Sequence, residues 1–510
     1  MRTLVAVKLT ALSIAALAAA APQAPLATAA NQPPVSASQP PRVVSSQATM
    51  AAAGQPAEEP DWSRFRGPNG RGVTEASNLP VEVGPETNVI WKTALPPGHS
   101  SPILSDDKIF LTAVDEGELF TIALDRPGGE VLWRHRVPTP PTDPPDPRNN
   151  PASPSPVTDG EMVVVFFADY GMIALDTDGN ELWTLPLGPF DNVYGMGASP
   201  ILFEDMVILA ADQTNGSYLL AVSRQDGSTV WRTERPEAKS GHATPILWDD
   251  EAGRTQILIP GSFYLSSYDA RTGERLWWVS GLSFEIKSTP VIHDGMIFVN
   301  GFGSPMQQPG AQPEIAPWEE AVAQDANGDG LLSEDEVSGT HAASWLGFTD
   351  LDHDGFFNAD DWAYFRAAIT SENGVLAIRL GGEGDMTEQN VVWTYHRAVP
   401  QLPSPLIYEG VLYMINDGGI VTTFDPATGE VIDQGRLSGA VDAYYASPVA
   451  ADGKIYFVSE LGLVAVIQPG GDIDEVVVSD LDDLAYGTPA IADDRIYLRT
   501  RNTLYCFGLE

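Results

Sequence analysis

Oxygen-bearing residues recur at fixed spacing in the segment 325–336, Asp-Ala-Asn-Gly-Asp-Gly-Leu-Leu-Ser-Glu-Asp-Glu. They occupy positions 1, 3, 5, 7, 9 and 12 of the segment: Asp325, Asn327, Asp329, Leu331 through its carbonyl, Ser333 and Glu336. Gly330 at position 6 permits the sharp turn that such a loop needs. Hard oxygen ligands in this number suit Ca²⁺, and Glu336 can bind through both carboxylate oxygens. The segment therefore predicts a calcium site.

A second segment, 350–361, repeats this pattern. Its ligand positions are filled by Asp350, Asp352, Asp354, the Phe356 carbonyl, Asn358 and Asp361. Asp361 replaces the longer glutamate of position 12, so we expect weaker calcium binding or better tolerance of magnesium. A degenerate loop with a purely structural role is the alternative for this segment.

Both segments match the EF-hand loop, and the first matches it at every diagnostic position. Apolar spacing predicts helices over 315–324 before the first loop and 361–369 after the second. Only residues 337–349 separate the loops, which leaves little room for two full helices. The sequence thus leaves open whether the loops pair.

These loops interrupt a longer repeat. Each copy opens with Ser-Pro or Thr-Pro, and the opening prolines are Pro102, Pro156, Pro200, Pro245, Pro290, Pro405, Pro448 and Pro489. Successive openings lie 41 to 54 residues apart, except for one gap of 115 residues after Pro290. Short strands at such a period are typical of a β-propeller. The last copy lacks one strand, which Val89–Ala94 can supply.

The sequence accordingly predicts an all-β protein, an eight-bladed β-propeller closed by its N- and C-terminal strands, with a small α-helical EF-hand insertion in blade 5. The expected segments are a signal peptide at 1–30, a disordered leader at 31–60, an N-terminal strap at 61–87, propeller at 88–303 and 375–510, and the insertion at 304–374. The strap carries Trp62 and Phe65, which could pack on the propeller or line a site. Trp133, Trp183, Trp231 and Trp277 each follow a glycine by four residues, so we expect them to pack between neighbouring blades.

The first thirty residues have a basic start at Arg2 and Lys8, a short apolar core and a small-residue cleavage site. They predict a cleaved secretory signal, with an uncleaved anchor as the alternative. Cys506 is the single cysteine, so the sequence contains no disulfide pair and no cysteine after the signal to carry a lipid. We expect a periplasmic or extracellular protein.

The chain has 28 Lys and Arg residues against 69 Asp and Glu, a formal net charge of −41. This charge repels nucleic-acid phosphate and anionic lipid surfaces, so neither nucleic acid nor insertion into a membrane is expected. The sequence predicts a monomeric propeller and does not distinguish a protein partner from a glycan partner.

Residues just before each innermost strand should surround one end of the channel. The residue three before each opening proline is His99, Ser153, Gly197, His242, Lys287, Leu402, Tyr445 and Tyr486. Of these, His99, His242, Lys287, Tyr445 and Tyr486 are the candidates for binding a cofactor, a small anion or an acidic peptide. A rim that is merely solvated is the alternative.

The repeat, with openings such as Ser101-Pro102 and closing strands such as Gly129 to Trp133, resembles the pyrroloquinoline-quinone-type, or quinoprotein alcohol dehydrogenase-like, propeller repeat. The resemblance covers about residues 88 to 510 apart from the insertion. It implies either a quinone-dependent dehydrogenase or a non-enzymatic relative such as the barrel-assembly lipoprotein. Many dehydrogenases of this type carry a vicinal cysteine pair, which this chain lacks, and no catalytic residue can be assigned here.

The sequence therefore favours a calcium-binding propeller that acts as a non-enzymatic binding or assembly scaffold, with Ca²⁺ in two loops. The alternative is a divergent pyrroloquinoline-quinone-dependent oxidoreductase acting on alcohols or sugars.

Overall fold

The computed structural model describes residues 62–509 except 143–145, 147, 193, 304–306, 311, 471–472 and 474. The expected signal segment at 1–30 and leader at 31–60 lie outside these residues. Within them, eight antiparallel sheets follow one another along the chain, as the repeat predicts. The predicted fold class, an eight-bladed β-propeller, is confirmed.

Each blade is a meander whose first strand is innermost. Blades 1 and 2 comprise Ile103–Leu104, Lys108–Asp115, Glu118–Asp125 and Val131–Arg136, then Val157–Thr158, Met162–Phe167, Gly171–Asp176 and Glu181–Pro186. Blades 3 and 4 comprise Ile201–Phe203, Met206–Ala211, Tyr218–Ser223 and Thr229–Glu234, then Ile246–Asp249, Thr255–Pro260, Tyr264–Asp269 and Arg275–Ser280. Blades 5 and 6 comprise Val291–His293, Met296–Gly301, Gly374–Arg379 and Val391–Tyr395, then Leu406–Tyr408, Val411–Ile415, Ile420–Phe424 and Val431–Arg436. Blades 7 and 8 comprise Val449–Ala451, Lys454–Val458, Leu463–Ile467 and Val477–Asp480, then Ala490–Ala492, Arg495–Arg499, Thr503–Phe507 and Val89–Ala94.

The ring closes in blade 8, where Val89–Ala94 pairs antiparallel with Thr503–Phe507. Strands from both ends of the propeller sequence therefore form one sheet. Arg499 of blade 8 also connects this blade to blade 1. Its guanidinium donates to the Ser100 hydroxyl at 2.8 Å and to the Thr112 carbonyl at 2.7 Å. Closure removes two sheet edges that could otherwise pair with another chain.

The repeated tryptophans pack between blades. In each of five cases the indole ring of one blade lies against a glycine of the next, and its Nε1 donates to a carbonyl there. The pairs are Trp91 with Gly129, Trp133 with Gly179, Trp183 with Gly227, Trp231 with Gly273, and Trp393 with Gly429. Trp277 is fully buried in the core between blades 4 and 5, and its Nε1 donates to Gln256 of its own blade.

The Ser-Pro and Thr-Pro openings build a ring of hydrogen bonds around the channel. At seven of the eight openings, the backbone N–H of the Ser or Thr donates to the hydroxyl of its counterpart in the next blade, at 2.9 to 3.0 Å. One run of these bonds joins Ser101 to Ser155, Ser155 to Ser199, and Ser199 to Thr244. The other run joins Thr289 to Ser404, Ser404 to Ser447, Ser447 to Thr488, and Thr488 to Ser101. The link into Thr289 is missing, since among the described residues its buried hydroxyl has no hydrogen-bond partner.

Residues 62–87 cross the inner strands of the propeller. The Trp62 carbonyl accepts from Leu104 N of blade 1, and the Ser63 carbonyl accepts from Thr158 N of blade 2. Arg66 Nη2 donates to the Pro405 carbonyl of blade 6 at 2.9 Å. Trp62 and Arg66 are fully buried. The first part of the segment therefore crosses the channel. Its later part runs over blade 7, where Leu79 N donates to Asp452 and Val83 N donates to the Ser479 hydroxyl.

The insertion emerges between the second and third strands of blade 5. Its helices are α1 (Trp318–Ala321), continued by a 3₁₀ turn at Val322–Gln324, α2 (His341–Thr349) and α3 (Ala359–Thr370). One nine-residue helix, α2, fits between the loops, in line with the short spacing. Two-residue strands, Leu332–Ser333 and Phe356–Phe357, pair antiparallel, so the two loops lie side by side. After blade 5 resumes, Gly384–Asp385 adds a fifth, parallel strand to blade 4, followed by α4 (Thr387–Asn390).

Candidate metal loops and channel cavity

The two acidic loops share one set of internal hydrogen bonds. In the first, the Asp325 carboxylate accepts from Gly330 N at 2.8 Å and Glu336 accepts from Ala326 N at 2.9 Å. In the second, Asp350 accepts from Gly355 N at 2.9 Å and Asp361 accepts from Leu351 N at 2.8 Å. In both loops these bonds join position 1 to position 6 and position 12 to position 2.

Carboxylates crowd most closely in the second loop. Ligand oxygens of Asp350, Asp352 and Asp361 lie within 4.8 Å of one another. Burial raises the pKa of Asp361, and the negative charges of Asp352 and Asp350 raise it further. Repulsion among these groups would be relieved by a bound cation, because opposite charge at this range favours the ionised forms. The loop expected to be weaker thus holds the tightest acidic cluster among the described residues.

The first loop is more exposed to solvent than the second. Its Glu336 has a pKa lowered to about 2, chiefly by hydrogen bonds from the Ser333 backbone and hydroxyl and from Ala326. The side chain is therefore held ionised and fixed in place at position 12. Asn327 and Asp329 are exposed at the loop surface.

The insertion is docked on blade 4 through helices α2 and α3. Tyr364 of α3 packs edge-on against Phe263 with ring centroids 5.4 Å apart, and Phe348 of α2 meets Phe284 at 5.5 Å. Buried Lys239 donates from Nζ to the Phe348 carbonyl at 2.6 Å. The helices on either side of the second loop therefore rest on the propeller.

All eight predicted rim residues line one cavity of about 200 Å³ at the end of the channel. The residues that the structure brings together there are His99, Ser153, Gly197, His242, Lys287, Leu402, Tyr445 and Tyr486. The insertion leaves blade 5 at the same end, because strands within a blade alternate in direction. Phe284, which contacts the insertion, lies three residues before Lys287 in the cavity wall.

Other lining residues were not predicted. Asp146, Arg148 and Asn149 reach the cavity mouth from the connection between blades 1 and 2, where Asn149 Nδ2 donates to the Tyr194 carbonyl at 2.7 Å. The sequence did contain an indication of this long connection, because the openings at Pro102 and Pro156 are 54 residues apart, the longest spacing apart from the one that holds the insertion. Phe65 of the N-terminal segment also lines the cavity, so the channel is closed behind it.

The cavity's charged groups are paired with one another. Arg148 donates to both carboxylate oxygens of Asp146, at 2.9 Å from Nε and 2.5 Å from Nη2. This bond lowers the pKa of Asp146 and raises the pKa of Arg148. Lys287 Nζ lies 3.7 Å from Glu285 Oε2 and donates to the Glu285 carbonyl at 2.9 Å. Both cations already have an anionic partner, so a small anion or an acidic peptide, the ligands that the rim's composition suggested, would have to share them.

Both rim histidines are uncharged near neutral pH. Burial lowers the pKa of His99 to about 3, with a smaller effect from Arg499, and burial likewise lowers the pKa of His242 to about 3, with a smaller effect from Lys287. His99 stacks on Tyr486 with ring centroids 3.9 Å apart, and Tyr445 meets Tyr486 edge-on at 5.4 Å. The cavity therefore presents aromatic surfaces and uncharged polar groups.

Solved structures share this architecture at low sequence identity. BamB from Moraxella catarrhalis matches with 13% identity and a TM-score of 0.53, over 83% of this chain and 97% of that one. A europium-containing methanol dehydrogenase matches with 10% identity and a TM-score of 0.53, over 89% and 99% of the two chains. The computationally designed Ika8 protein matches with 10% identity and a TM-score of 0.52, over 82% and 98%. These likenesses show the fold alone.

A comparison with curated proteins finds no match. Within the described residues, none of the helices combines the length and apolar character needed to span a membrane. The family model described as outer membrane protein assembly factor BamB matches residues 81–301 and 261–510. Because these ranges together span most of the sequence, the chain belongs to the family described as outer membrane protein assembly factor BamB.

Proposed function

We propose that this protein is a non-enzymatic binding or assembly scaffold that holds Ca²⁺ in its two inserted loops. The observation that carries the calcium assignment is the meeting of Asp350, Asp352 and Asp361 within 4.8 Å, in a loop paired with a second of the same ligand pattern. The scaffold assignment is supported by the family and by the pairing of the charges in the channel cavity.

The loops fit a hard divalent cation. Each offers side-chain oxygens at positions 1, 3, 5, 9 and 12 and a carbonyl at position 7, which is a ligand set that Ca²⁺ prefers. A bound cation would supply the positive charge that these carboxylates lack. Extracellular calcium loops bind at about 10⁻⁴ to 10⁻³ M, so calcium here would be structural or environmental rather than a rapid signal.

The cavity does not fit pyrroloquinoline quinone. This cofactor is a tricarboxylate, and a carboxylate needs an available cation or several N–H donors when it is buried. The two cations that line the cavity, Arg148 and Lys287, are held by Asp146 and Glu285. The single cysteine, Cys506, is buried in the core formed by blades 7, 8 and 1, away from the cavity lining. No catalytic step through a quinone is therefore assigned.

The proposed location is the periplasm or the cell exterior. It is supported by the signal-like composition of residues 1–30 and by the outer-membrane role in the family's description. The partner would be a protein or a glycan, and a net charge of −41 disfavours nucleic acid.

Calcium binding is tested by isothermal titration of the double variant Asp325→Ala/Asp350→Ala, which removes position 1 of each loop. We expect the native protein to bind two ions and the variant none, with the β-sheet circular dichroism unchanged. The matched control is Asp335→Ala/Asp360→Ala, which removes the same charge from position 11 of each loop and should retain both ions. Unchanged stoichiometry in the first variant would place the ions elsewhere.

The non-enzymatic assignment is tested by titration with pyrroloquinoline quinone, with and without calcium, followed by quinone absorbance and dye reduction on simple alcohols and sugars. We expect no saturable binding and no turnover. Saturable binding with turnover would make the protein an oxidoreductase and would contradict the assignment even if both calcium loops are occupied.

A further inference from the structure

The channel cavity is a blind pocket. Phe65 lies at its inner side, and the segment that carries Phe65 is fixed to the inner strands through Trp62, Ser63 and Arg66. A ligand could therefore enter only from the rim end. A volume of about 200 Å³ is smaller than the roughly 300–1,000 Å³ of typical ligand pockets, so it suits one small ring rather than a chain.

The electrostatics of the lining favour an uncharged ligand. Arg148 is paired with Asp146, Lys287 with Glu285, and the Tyr486 hydroxyl donates to Glu460 Oε1 at 3.2 Å. A charged ligand would compete with Asp146 for Arg148 or with Glu285 and Lys287 for one another, which offsets part of its gain. An uncharged ligand disturbs none of them.

The aromatic lining favours a ligand with an apolar ring face. Tyr486 is stacked with His99, Tyr445 stands edge-on to Tyr486, and Tyr194 lies across the rim with its ring 6.0 Å from that of His242. Phe65 adds a further apolar surface at the inner side. Amphipathic rings of this kind contact an apolar face while their polar edges bond to hydroxyl groups.

Uncharged polar side chains in the lining favour hydroxyl groups on the ligand. Gln401, Ser153 and His242 all line the cavity. The Gln401 amide offers both donors and an acceptor, and the Ser153 hydroxyl can donate and accept. A ligand hydroxyl also donates and accepts, so it can pair with either side chain, whereas a ligand carbonyl can only accept.

We propose that the channel cavity binds an uncharged cyclic ligand that carries hydroxyl groups, such as a single sugar unit at the end of a glycan. This inference adds a ligand class to the proposed binding role. It does not depend on the calcium loops, because every group it uses belongs to the propeller or to the N-terminal segment.

The test is a titration of the full-length protein with methyl glycosides of glucose, galactose, mannose and N-acetylglucosamine, followed by saturation-transfer NMR and calorimetry. A ligand of this size should bind with a dissociation constant on the order of 1 mM. We expect His242→Phe and Tyr486→Leu each to weaken binding by about tenfold or more. His293→Gln, at the opposite end of blade 5, is the matched control and should bind as the native protein does.

Three results would overturn the assignment. One is the absence of saturation by any glycoside at about ten times the expected dissociation constant. Another is preferential binding of methyl glucuronide or inorganic phosphate that is lost in Arg148→Ala, which would make the cavity an anion site. The third is binding of N-acetyltyrosinamide without binding of any sugar, which would make it a peptide site. Calcium stoichiometry and dye reduction in the same preparation separate failure of this inference from failure of the proposed function.

Discussion

At the scale of single residues, burial sets the charge state of the cavity. His99 and His242 have their pKa values lowered to about 3, and burial is the first cause for both. Burial also lowers the pKa of Lys287 and raises the pKa of Glu285, although each group favours the charged form of the other. The acidic protein thus contains, at one end of its channel, a cavity whose charged groups are paired and whose histidines are uncharged.

This arrangement predicts acid sensitivity. An unfolded histidine has a pKa near 6.5, so between about pH 3 and 6.5 the unfolded chain binds a proton that buried His99 and His242 do not. The free energy of unfolding should therefore fall as pH drops through this window, by up to about 1.4 kcal/mol per pH unit for each histidine. The measurement is urea unfolding at several pH values for the native protein and for His99→Gln/His242→Gln.

Below pH 6.5 the double variant should lose less unfolding free energy per pH unit than the native protein, since its two glutamine side chains do not titrate. The control replaces Ser153 and Leu402, rim residues without a titratable side chain, with alanine and should leave the slope unchanged. Equal slopes for all three proteins would show that the two rim histidines do not resist protonation in the fold.

At the scale of elements, the Ser-Pro and Thr-Pro openings have a hydrogen-bonding role that their repetition in the sequence does not indicate. Their hydroxyls accept the N–H groups of neighbouring blades, so one residue type satisfies buried backbone donors nearly all the way round the channel. Thr488 forms part of the closure, because it accepts from Ser447 N and donates from its own N to Ser101.

Removal of one hydroxyl from this ring should be destabilising. Thr488→Val keeps the side-chain shape but leaves the buried Ser447 N–H without its acceptor, so we expect a loss of about 1–3 kcal/mol in unfolding free energy. Thr289→Val is the matched control, since within the described residues the Thr289 hydroxyl has no partner to lose. Denaturant unfolding of both variants measures the difference, and equal losses would mean that the ring bonds contribute no stability.

At the scale of the whole molecule, the insertion is an addition to a ring that closes without it. Gly301 and Gly374, the residues on either side of the insertion, are paired across neighbouring strands of blade 5. A short turn could therefore join them. The insertion nevertheless covers apolar surface on blade 4, where Phe263 is only 2% exposed.

Replacing residues 304–371 with a short Gly-Asn turn should accordingly leave a folded propeller that no longer binds calcium. We expect native-like β-sheet circular dichroism and a lower melting temperature, since uncovering Phe263 and Phe284 loses about 1.5–3 kcal/mol for each ring that becomes fully exposed. The comparison is thermal unfolding of both proteins with and without calcium. A calcium-dependent melting temperature in the shortened protein would contradict the placement of the ions in the insertion.

Features that depend on local spacing could be predicted before the structure was known. Eight proline-marked openings predict eight blades because each blade is a local meander, and closure by Val89–Ala94 follows from the strand missing at the other end. The rim residues were found in the same way, since a fixed offset within a repeat maps to a fixed place in the ring. The proposed ligand positions from Asp325 to Asp361 can be read from the sequence because each loop lies within twelve consecutive residues.

Contacts between segments that are far apart in sequence, by contrast, follow only from the folded structure. Phe65 reaches the cavity because its segment crosses the channel, and Arg148 reaches it because one connection between blades is long. Tyr364 meets Phe263 across 101 positions of sequence, so no local pattern could predict the docking of the insertion. The pairs of Arg148 with Asp146 and of Lys287 with Glu285 are local in sequence, but the burial of the cavity lining arises from groups on different blades. That burial becomes definite only when closure of the ring brings those blades around a single channel.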